Sequence, residues 1–389
     1  MKQRIVSYLD TIKNELFNIS KYLYENPEES FKEFKACDYL SNLLEKHDFK
    51  VKKNYLDIPT SFCGTYGSGY PKICFFCEYD TPNKENHISG HNLISEMSIG
   101  AALSLSKVID NFSGTIIVIG CPGEFLSGSK VTLAKQGAFK DIDVGLMAHP
   151  DVITCESDKS MAIIPMKMTF KGENTISYEN PNIFSSLNGF LYTFNSINLL
   201  KKCYKDEFHI DKLNIKSGEN PYNLSNTTKV SFYIRAKNIN LATKIENKIR
   251  KIVKHTEEIL DLDCNICFYE LPYRELITNK TLSRIFSHNL KESGIIDLCG
   301  SKNTVSGLSL GTVSHYIPCI HPYISIVDKT NNIDYFSKEF ASNTLSNYAQ
   351  NRTLKATQAL ALTALDLIEN RELLNDVKNE FFNKIKTRD

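Results

Sequence analysis

The sequence lacks an excess of charge of either sign. Its 46 lysine and arginine residues nearly cancel its 45 aspartate and glutamate residues, and no segment is dense in lysine or arginine. Proteins that bind nucleic acid or an anionic membrane surface by electrostatic attraction carry a basic patch or stripe. The composition therefore predicts a protein that binds neither nucleic acid nor a membrane.

Long apolar segments are also missing. No uninterrupted apolar run approaches the roughly 20 residues that a membrane-spanning helix needs. The N-terminal segment MKQRIVSYLDTIKNELF has apolar residues at helical spacing but no signal-peptide core. The expected location is therefore the cytoplasm.

The 11 cysteines form no pattern typical of a disulfide framework, because they are odd in number and scattered. Two Cys-x-x-Cys pairs occur, Cys74/Cys77 and Cys264/Cys267, and both lie in strand-like segments. Residues three apart in a strand point to opposite faces of the sheet. The sequence therefore predicts reduced thiols and no structural zinc site built from these pairs.

The order of apolar segments predicts two domains, in line with a length of 389 residues. In the first part of the chain, buried strands alternate with amphipathic helices, a pattern typical of parallel sheets. Farther along, the pattern becomes β-α-β-β-α-β, which is the ferredoxin-like order. We therefore predict an α/β fold. A catalytic-type domain with a mixed, mostly parallel sheet spans residues 1–165 and 276–389, and an inserted α+β ferredoxin-like lid domain spans 166–275.

Three loops at the carboxyl ends of predicted strands carry imidazoles or a carboxylate. They hold His87 and His91, Glu124, and His149. Zinc hydrolase sites are built from such groups. Each residue also has a structural explanation, since a histidine beside a proline is often bonded within the core and Glu124 suits the start of a helix. Residue types and spacing leave both explanations open.

Short motifs along the chain point to one family. In chain order they are NPEESFKE at 26–33, EYD, HISGHNLI, CPGEF, GAFKDIDVGLMAHP, FNSINLLK, VSHYIPCIHPY and KEFA. Together they resemble the dizinc amidohydrolases and carboxypeptidases of metallopeptidase family twenty in clan MH. The closest branch contains aminobenzoyl-glutamate hydrolases, auxin-conjugate hydrolases and dipeptidases. The resemblance covers nearly the whole chain. It implies hydrolysis of a C–N bond in a small amide or amino-acid-like substrate, and a homodimer formed through the lid.

The resemblance also implies five metal ligands, and three of the corresponding positions differ here. His91 and His149 match the family. Ser89 stands at the position of a cysteine, Phe125 at that of a glutamate, and Phe336 at that of a C-terminal histidine. Phenylalanine cannot coordinate zinc, and we expect the two rings to fill the space that an ion needs. No metal cofactor is therefore expected, with zinc or manganese at a reduced site as the alternative.

Other positions that match the family imply roles in catalysis and binding. Glu124 aligns with the general base that takes a proton from the metal-bound water. Asn92, Arg235 and His315 lie in family-like motifs and are expected to bind substrate.

We favour metal-independent chemistry on a small amide or amino-acid-derived substrate, with Glu124 as acid and base. Two alternatives stay open. One is a non-catalytic protein that binds a ligand or regulates an active enzyme. The other is a conventional metal-dependent amidohydrolase, in which His87, His91, His149 and Glu124 form a reduced, single-metal site. The fold alone does not decide among them.

Overall fold

The structure, a computed structural model, describes residues 1–82, 86–110, 113–126, 128–173, 183–205, 207–218 and 224–386. The helices, in chain order, are α1 (Lys2–Glu25), α2 (Phe34–Lys46), α3 (His91–Ile109), α4 (Ser129–Lys135), α5 (Ser186–Cys203), α6 (Ile239–Leu260), α7 (Lys280–Glu292), α8 (Ser309–Val313), α9 (Lys338–Asn343), α10 (Asn347–Glu369) and α11 (Arg371–Lys386). The strands, in chain order, are β1 (Lys50–Lys53), β2 (Phe62–Ser68), β3 (Lys72–Cys77), β4 (Gly114–Gly120), β5 (Val144–Leu146), β6 (His149–Asp151), β7 (Cys155–Ser157), β8 (Ala162–Lys171), β9 (Phe208–Ser217), β10 (Thr227–Ala236), β11 (Asp263–Phe268), β12 (Cys299–Lys302), β13 (Cys319–Ile320) and β14 (Tyr323–Ser325).

These elements form two compact units. The larger unit comprises Met1–Lys159, Ile277–Asn303 and Thr312–Asp389, and the smaller comprises Ser160–Leu276 and Thr304–Gly311. The sequence-based boundaries placed residues 304–311 with the larger part. In the structure this segment packs with the smaller unit, where the Met161 N–H donates a hydrogen bond to the Ser306 carbonyl.

The larger unit is built on a six-stranded sheet with the order β1-β2-β4-β3-β5-β13. The four strands β4, β3, β5 and β13 are parallel, whereas β1 and β2 are antiparallel to their neighbours. The central strand β3 is fully buried from Ile73 to Cys77. A strand in a parallel sheet is covered on both faces, which explains its continuous apolar run. The predicted α/β class with a mixed, mostly parallel sheet is confirmed.

The ends of β3 and β4 bring two polar segments to the same edge of this sheet. The strands are parallel, and Cys77 pairs with Gly120. The segment that begins at Glu78 and the segment that ends at Glu124 therefore leave the sheet side by side. Helix α3, buried over nearly its whole length, holds His91 at its first position.

A second, four-stranded sheet of the larger unit has the order β12-β7-β14-β6. Strand β6 begins at His149, which pairs with Tyr323 of the parallel strand β14. The His149 N–H also donates to the Pro322 carbonyl at 2.9 Å, so the backbone of His149 is held along β14.

The smaller unit has an antiparallel sheet with the order β11-β8-β10-β9. Helices α5 and α6 pack on it through an apolar core that includes Phe190, Phe232 and Ile245. Its chain order is β-α-β-β-α-β, the ferredoxin-like order that the sequence predicted.

The described residues bear on two predictions made from composition, which concern membrane-spanning segments and the state of the cysteines. No helix within the described ranges is long and apolar enough to cross a membrane. All 11 cysteines are free, and both members of the Cys74/Cys77 pair are buried in β3.

Candidate metal centre

Three buried side chains with metal-binding atoms lie together at the carboxyl edge of the larger sheet. They are Glu78 after β3, His91 at the start of α3 and His149 at the start of β6. One ligand atom from each of the three lies within 4.8 Å of the other two. One carboxylate and two imidazoles form a ligand set that catalytic zinc sites use. We call these residues the triad.

His91 is held between two carboxylates. Its Nδ1 lies 2.8 Å from Asp80 Oδ1, and its Nε2 lies 3.3 Å from Glu78 Oε2. Nδ1 also lies 3.1 Å from the backbone carbonyl oxygen of Asp80, which can only accept a hydrogen bond, so Nδ1 carries a proton. Burial lowers the pKa of His91, but the hydrogen bond to Asp80 and the charge of Glu78 outweigh it and raise that pKa. Nε2 therefore faces Glu78 either with a second proton or across a bound cation.

His149, like His91, has its Nδ1 in a hydrogen bond, so that Nε2 is the nitrogen available to a metal ion. Its Nδ1 lies 2.7 Å from the Pro150 carbonyl, which can only accept, so Nδ1 donates this hydrogen bond. Burial lowers the pKa of His149 and favours the neutral imidazole. A neutral imidazole with Nδ1 protonated leaves the lone pair on Nε2, which is the form that binds metals.

A fully buried lysine connects the triad with the predicted general base. Lys130 Nζ, on the first turn of α4, lies 2.5 Å from Glu78 Oε1 and 3.0 Å from Glu124 Oε1. Burial lowers the pKa of Lys130, but the charges of Glu124 and Glu78 outweigh it, so the ammonium stays charged. Burial likewise raises the pKa of Glu78, yet Lys130 and His91 bring it down to about 2. Glu78 is therefore an ionised carboxylate at neutral pH.

Asp80 and Glu33 accept hydrogen bonds that hold the segments around the site together. Asp80 Oδ2 accepts hydrogen bonds from the Ser30 hydroxyl at 2.6 Å and from the Phe125 N–H at 2.9 Å. Glu33 Oε1 accepts from the Gly123 N–H at 2.8 Å. Burial and the nearby charge of Asp80 raise the pKa of Glu33 to about 7. These bonds join the segments NPEESFKE, EYD and CPGEF into one network.

Two residues of the site, Glu78 and Lys130, were not predicted from the sequence. Glu78 directly follows the buried strand β3, so its position at a sheet edge was a usable signal, but glutamate is common there. Lys130 stands beside Val131 in the short helix α4, and nothing in its neighbourhood distinguishes it from a solvated lysine.

The reduced ligand set predicted from the sequence differs from the one in the structure. The described ligand group contains Glu78 in addition to His91 and His149, and neither His87 nor Glu124 belongs to it. His87 is buried, and its Nε2 donates a hydrogen bond to the Leu23 carbonyl at 3.1 Å. Burial lowers its pKa to about 3, so this imidazole is neutral.

The structure distributes the three predicted substrate-binding residues over separate places. Asn92 is fully buried, and its amide group donates to the Ser20 carbonyl and to the Thr344 hydroxyl, between helices of the larger unit. His315 is half-buried after α8. Arg235 lies on β10 of the smaller unit, where its Nε is 2.6 Å from Asp211 Oδ2.

Known proteins resemble this chain over nearly its whole length. The Xaa-Arg dipeptidase of Mus musculus is 27% identical over 417 residues, which cover 99% of this chain and 93% of the relative. A dinuclear metal-binding peptidase of the M20 family from Bacillus subtilis superposes with a TM-score of 0.69 at 13% identity, covering 92% of this chain and 99% of the other. An aminobenzoyl-glutamate utilization protein from Klebsiella pneumoniae superposes with a TM-score of 0.72 at 10% identity, covering 92% and 97%. No protein-family model matches the chain.

These findings support an amidohydrolase or peptidase member of the M20 family. This is the metallopeptidase family that the motifs of the chain resemble, and the relatives support an amidohydrolase- or peptidase-like function. The two solved structures support the same fold, with 13% and 10% identity.

Two of the three positions at which the resemblance implies a different residue form an aromatic contact beside His91. Phe125 stacks on His91 with ring centroids 4.8 Å apart, and the Phe336 ring lies 6.0 Å from that of Phe125. The expectation that both rings fill the ion's space is corrected for Phe336, which is 49% exposed. Ser89 is buried, and its hydroxyl has no hydrogen-bond partner among the described residues.

The residues of this site do not fit a pair of metal ions. Serine is not among the usual zinc ligands, phenylalanine supplies no ligand atom, and the ammonium of Lys130 holds Glu78 Oε1. The triad does fit one ion. Glu78 Oε2 faces His91 Nε2, and the Nδ1 atoms of His91 and His149 are both occupied by hydrogen bonds that orient the rings.

Proposed function

We propose that this protein is an amidohydrolase that uses one divalent ion, held by Glu78, His91 and His149, and acts on small amides of amino acids. The observation that carries the proposal is the clustering of one carboxylate and two oriented imidazoles within 4.8 Å. The mouse relative is named a dipeptidase and the Klebsiella protein is named for aminobenzoyl-glutamate. Both names refer to amides of amino acids and support this substrate class.

Other residues of the chain transfer the proton and orient the ligands in this proposal. When bound, a divalent ion supplies a Lewis acid that polarises a carbonyl and lowers the pKa of water. Glu124, placed by its ion pair with Lys130, accepts the proton of the attacking water and passes it to the leaving amine. Asp80 holds His91 in the tautomer whose Nε2 is available.

Metal analysis tests the ligand set. We expect about one equivalent of zinc or manganese in protein purified without chelator, and a loss of that metal in His91→Ala and in His149→Ala. His47→Ala is the matched control, because His47 is a half-buried histidine bonded to Glu15 and not to the triad. Metal-free wild-type protein after incubation with either ion, or equal metal content in His91→Ala, contradicts the proposal.

Turnover tests the role of Glu124. On small N-acyl amino acids and dipeptides, Glu124→Gln is expected to lose about 10²- to 10⁴-fold in rate, the usual contribution of a general base. The variant should keep its metal, since Glu124 is not in the triad. A Glu124→Gln protein with wild-type turnover contradicts the assignment.

Metal-independent chemistry is the second candidate, and the position of Lys130 favours it. The Lys130 ammonium is a fixed internal cation that contacts both Glu78 and Glu124. Turnover that survives in His91→Ala and in chelator-treated enzyme, and that is lost in Glu124→Gln, would select this candidate. Ligand binding without turnover in any of these proteins would select a non-catalytic function.

A further inference from the structure

An aromatic group borders the triad on one side. We define the aromatic rim as Phe125, Tyr335 and Phe336. The Phe125 ring stacks on His91 with an interplanar angle of 28°, and the Tyr335 ring centroid lies 6.2 Å from that of His149. The Phe336 ring joins the other two, at 6.0 Å from Phe125 and 5.8 Å from Tyr335. The rim therefore adjoins both histidines of the triad.

The rim is open to solvent even though its residues are large and apolar. Phe336 is 49% exposed and Tyr335 is 39% exposed. Single exposed apolar residues are ordinary on protein surfaces. A contiguous exposed group beside buried polar side chains is typical of a binding site instead.

The backbone at Phe336 is held in an unfavourable conformation. Its φ is +69°, in the left-handed region that bulky residues rarely adopt. The Ser337 hydroxyl accepts from the Phe340 N–H at 3.0 Å and donates to the Asp334 carbonyl at 2.7 Å, which fixes the turn before α9. The Tyr335 ring packs edge-on against buried Phe340, with centroids 5.2 Å apart. Strain that the surrounding structure maintains in this way is concentrated at functional sites.

We propose that the aromatic rim is a subsite for an aryl or other bulky apolar group of the substrate. This inference rests on the proposed function, because it takes the scissile amide to lie at the triad. Since Phe125 contacts His91 directly, a group on the rim lies next to that amide. Aromatic faces favour stacked or edge-on rings. An anionic group at the same place loses hydration without gaining a partner from the rim.

The absence of tryptophan from the chain allows a direct binding test. Phe336→Trp introduces a single fluorophore on the rim, and Phe382→Trp introduces one on α11, where Phe382 is 51% exposed. Benzoylglycine and acetyl-phenylalanine are the aryl probes, and acetylglycine is the probe without an aryl group. We expect an aryl probe to change the fluorescence emission of Phe336→Trp. Because of stacking contacts, the dissociation constant of the aryl probe should be about three- to tenfold lower than that of acetylglycine. Phe382→Trp should not respond.

Calorimetry on proteins without the reporter completes the test. The same three- to tenfold preference for an aryl probe is expected in the wild type and in the control Phe382→Ser, and it should disappear in Phe336→Ser. Equal affinities for all three probes in the wild type, or an unchanged preference in Phe336→Ser, overturn the inference. Because binding is measured with and without added zinc, a protein that holds no metal but keeps the aryl preference refutes the proposed function alone. A metal-loaded protein without the preference refutes the subsite alone.

Discussion

Replacing Lys130 with methionine tests whether the buried ammonium holds the site together. Methionine matches the length of the lysine stem but removes the charge from a position with no solvent exposure. Glu78 Oε1 and Glu124 Oε1 then lose the cation that lies 2.5 Å and 3.0 Å away. Two carboxylates remain buried without their shared partner.

The expected cost follows from breaking a buried ion pair on one side. Removing one partner of such a pair destabilises a protein by about 3–5 kcal/mol, since the remaining charge is left without compensation. That is a large part of the about 5–15 kcal/mol by which domains are usually stable. For a large domain the loss corresponds to a fall in melting temperature on the order of 10 °C.

Thermal and urea unfolding of three variants measures this effect. The matched control is Lys378→Met, because the Lys378–Asp143 pair is similarly short at 2.6 Å but the lysine is 28% exposed. A partly exposed pair contributes about 1 kcal/mol or less. The double variant Lys130→Met with Glu78→Gln should recover part of the loss, because it removes one of the two uncompensated carboxylates. A Lys130→Met protein as stable as Lys378→Met, or a double variant no more stable than the single, refutes the reasoning.

Three further variants probe burial, backbone conformation and strain. Burial raises the pKa of Glu96 to about 8. The folded protein therefore keeps a proton that the unfolded chain releases from about pH 4.5 upward. The free energy of unfolding should accordingly fall as the pH rises from about 4.5 to about 8. Glu96→Gln removes this contribution and should be the more stable protein at pH 8; parallel pH curves of urea unfolding would contradict this. Gly123→Ala places a Cβ 2.3 Å from the Phe31 ring at a φ of +74°. The substitution should lower the free energy of unfolding by about 1–3 kcal/mol. An unchanged urea midpoint would show instead that the loop adjusts. Phe336 has a left-handed backbone conformation, which costs about 1–2 kcal/mol for a residue with a side chain. The melting temperature of Phe336→Gly should therefore equal or exceed that of the wild type. A clearly lower melting temperature would show that the Phe336 ring supports the fold.

Much of the architecture followed from local patterns. The continuous apolar run in β3 indicated a strand covered on both faces, and the structure places it inside a parallel sheet. The β-α-β-β-α-β order of the smaller unit was also visible, because strand and helix periodicities differ along the chain. The segment 304–311 was assigned to the other unit, since no local pattern reveals which sheet a short irregular segment joins.

The sequence by itself determined which residue types stand at the sheet edge, because each predicted strand ends in a loop whose composition is visible. It thus identified His91, His149 and Glu124 as candidate site residues, and the resemblance of their motifs to a known family implied the role of Glu124 as an acid or base. Only the tertiary structure decided that Glu78 completes the triad and that Lys130 bridges Glu78 and Glu124. The contact of Lys130 with Glu78 depends on the pairing of β3 with β4 and on the docking of α4, and it joins residues 52 positions apart in the chain. Side-chain contacts over such separations are set by packing, which leaves no periodic signal in the sequence.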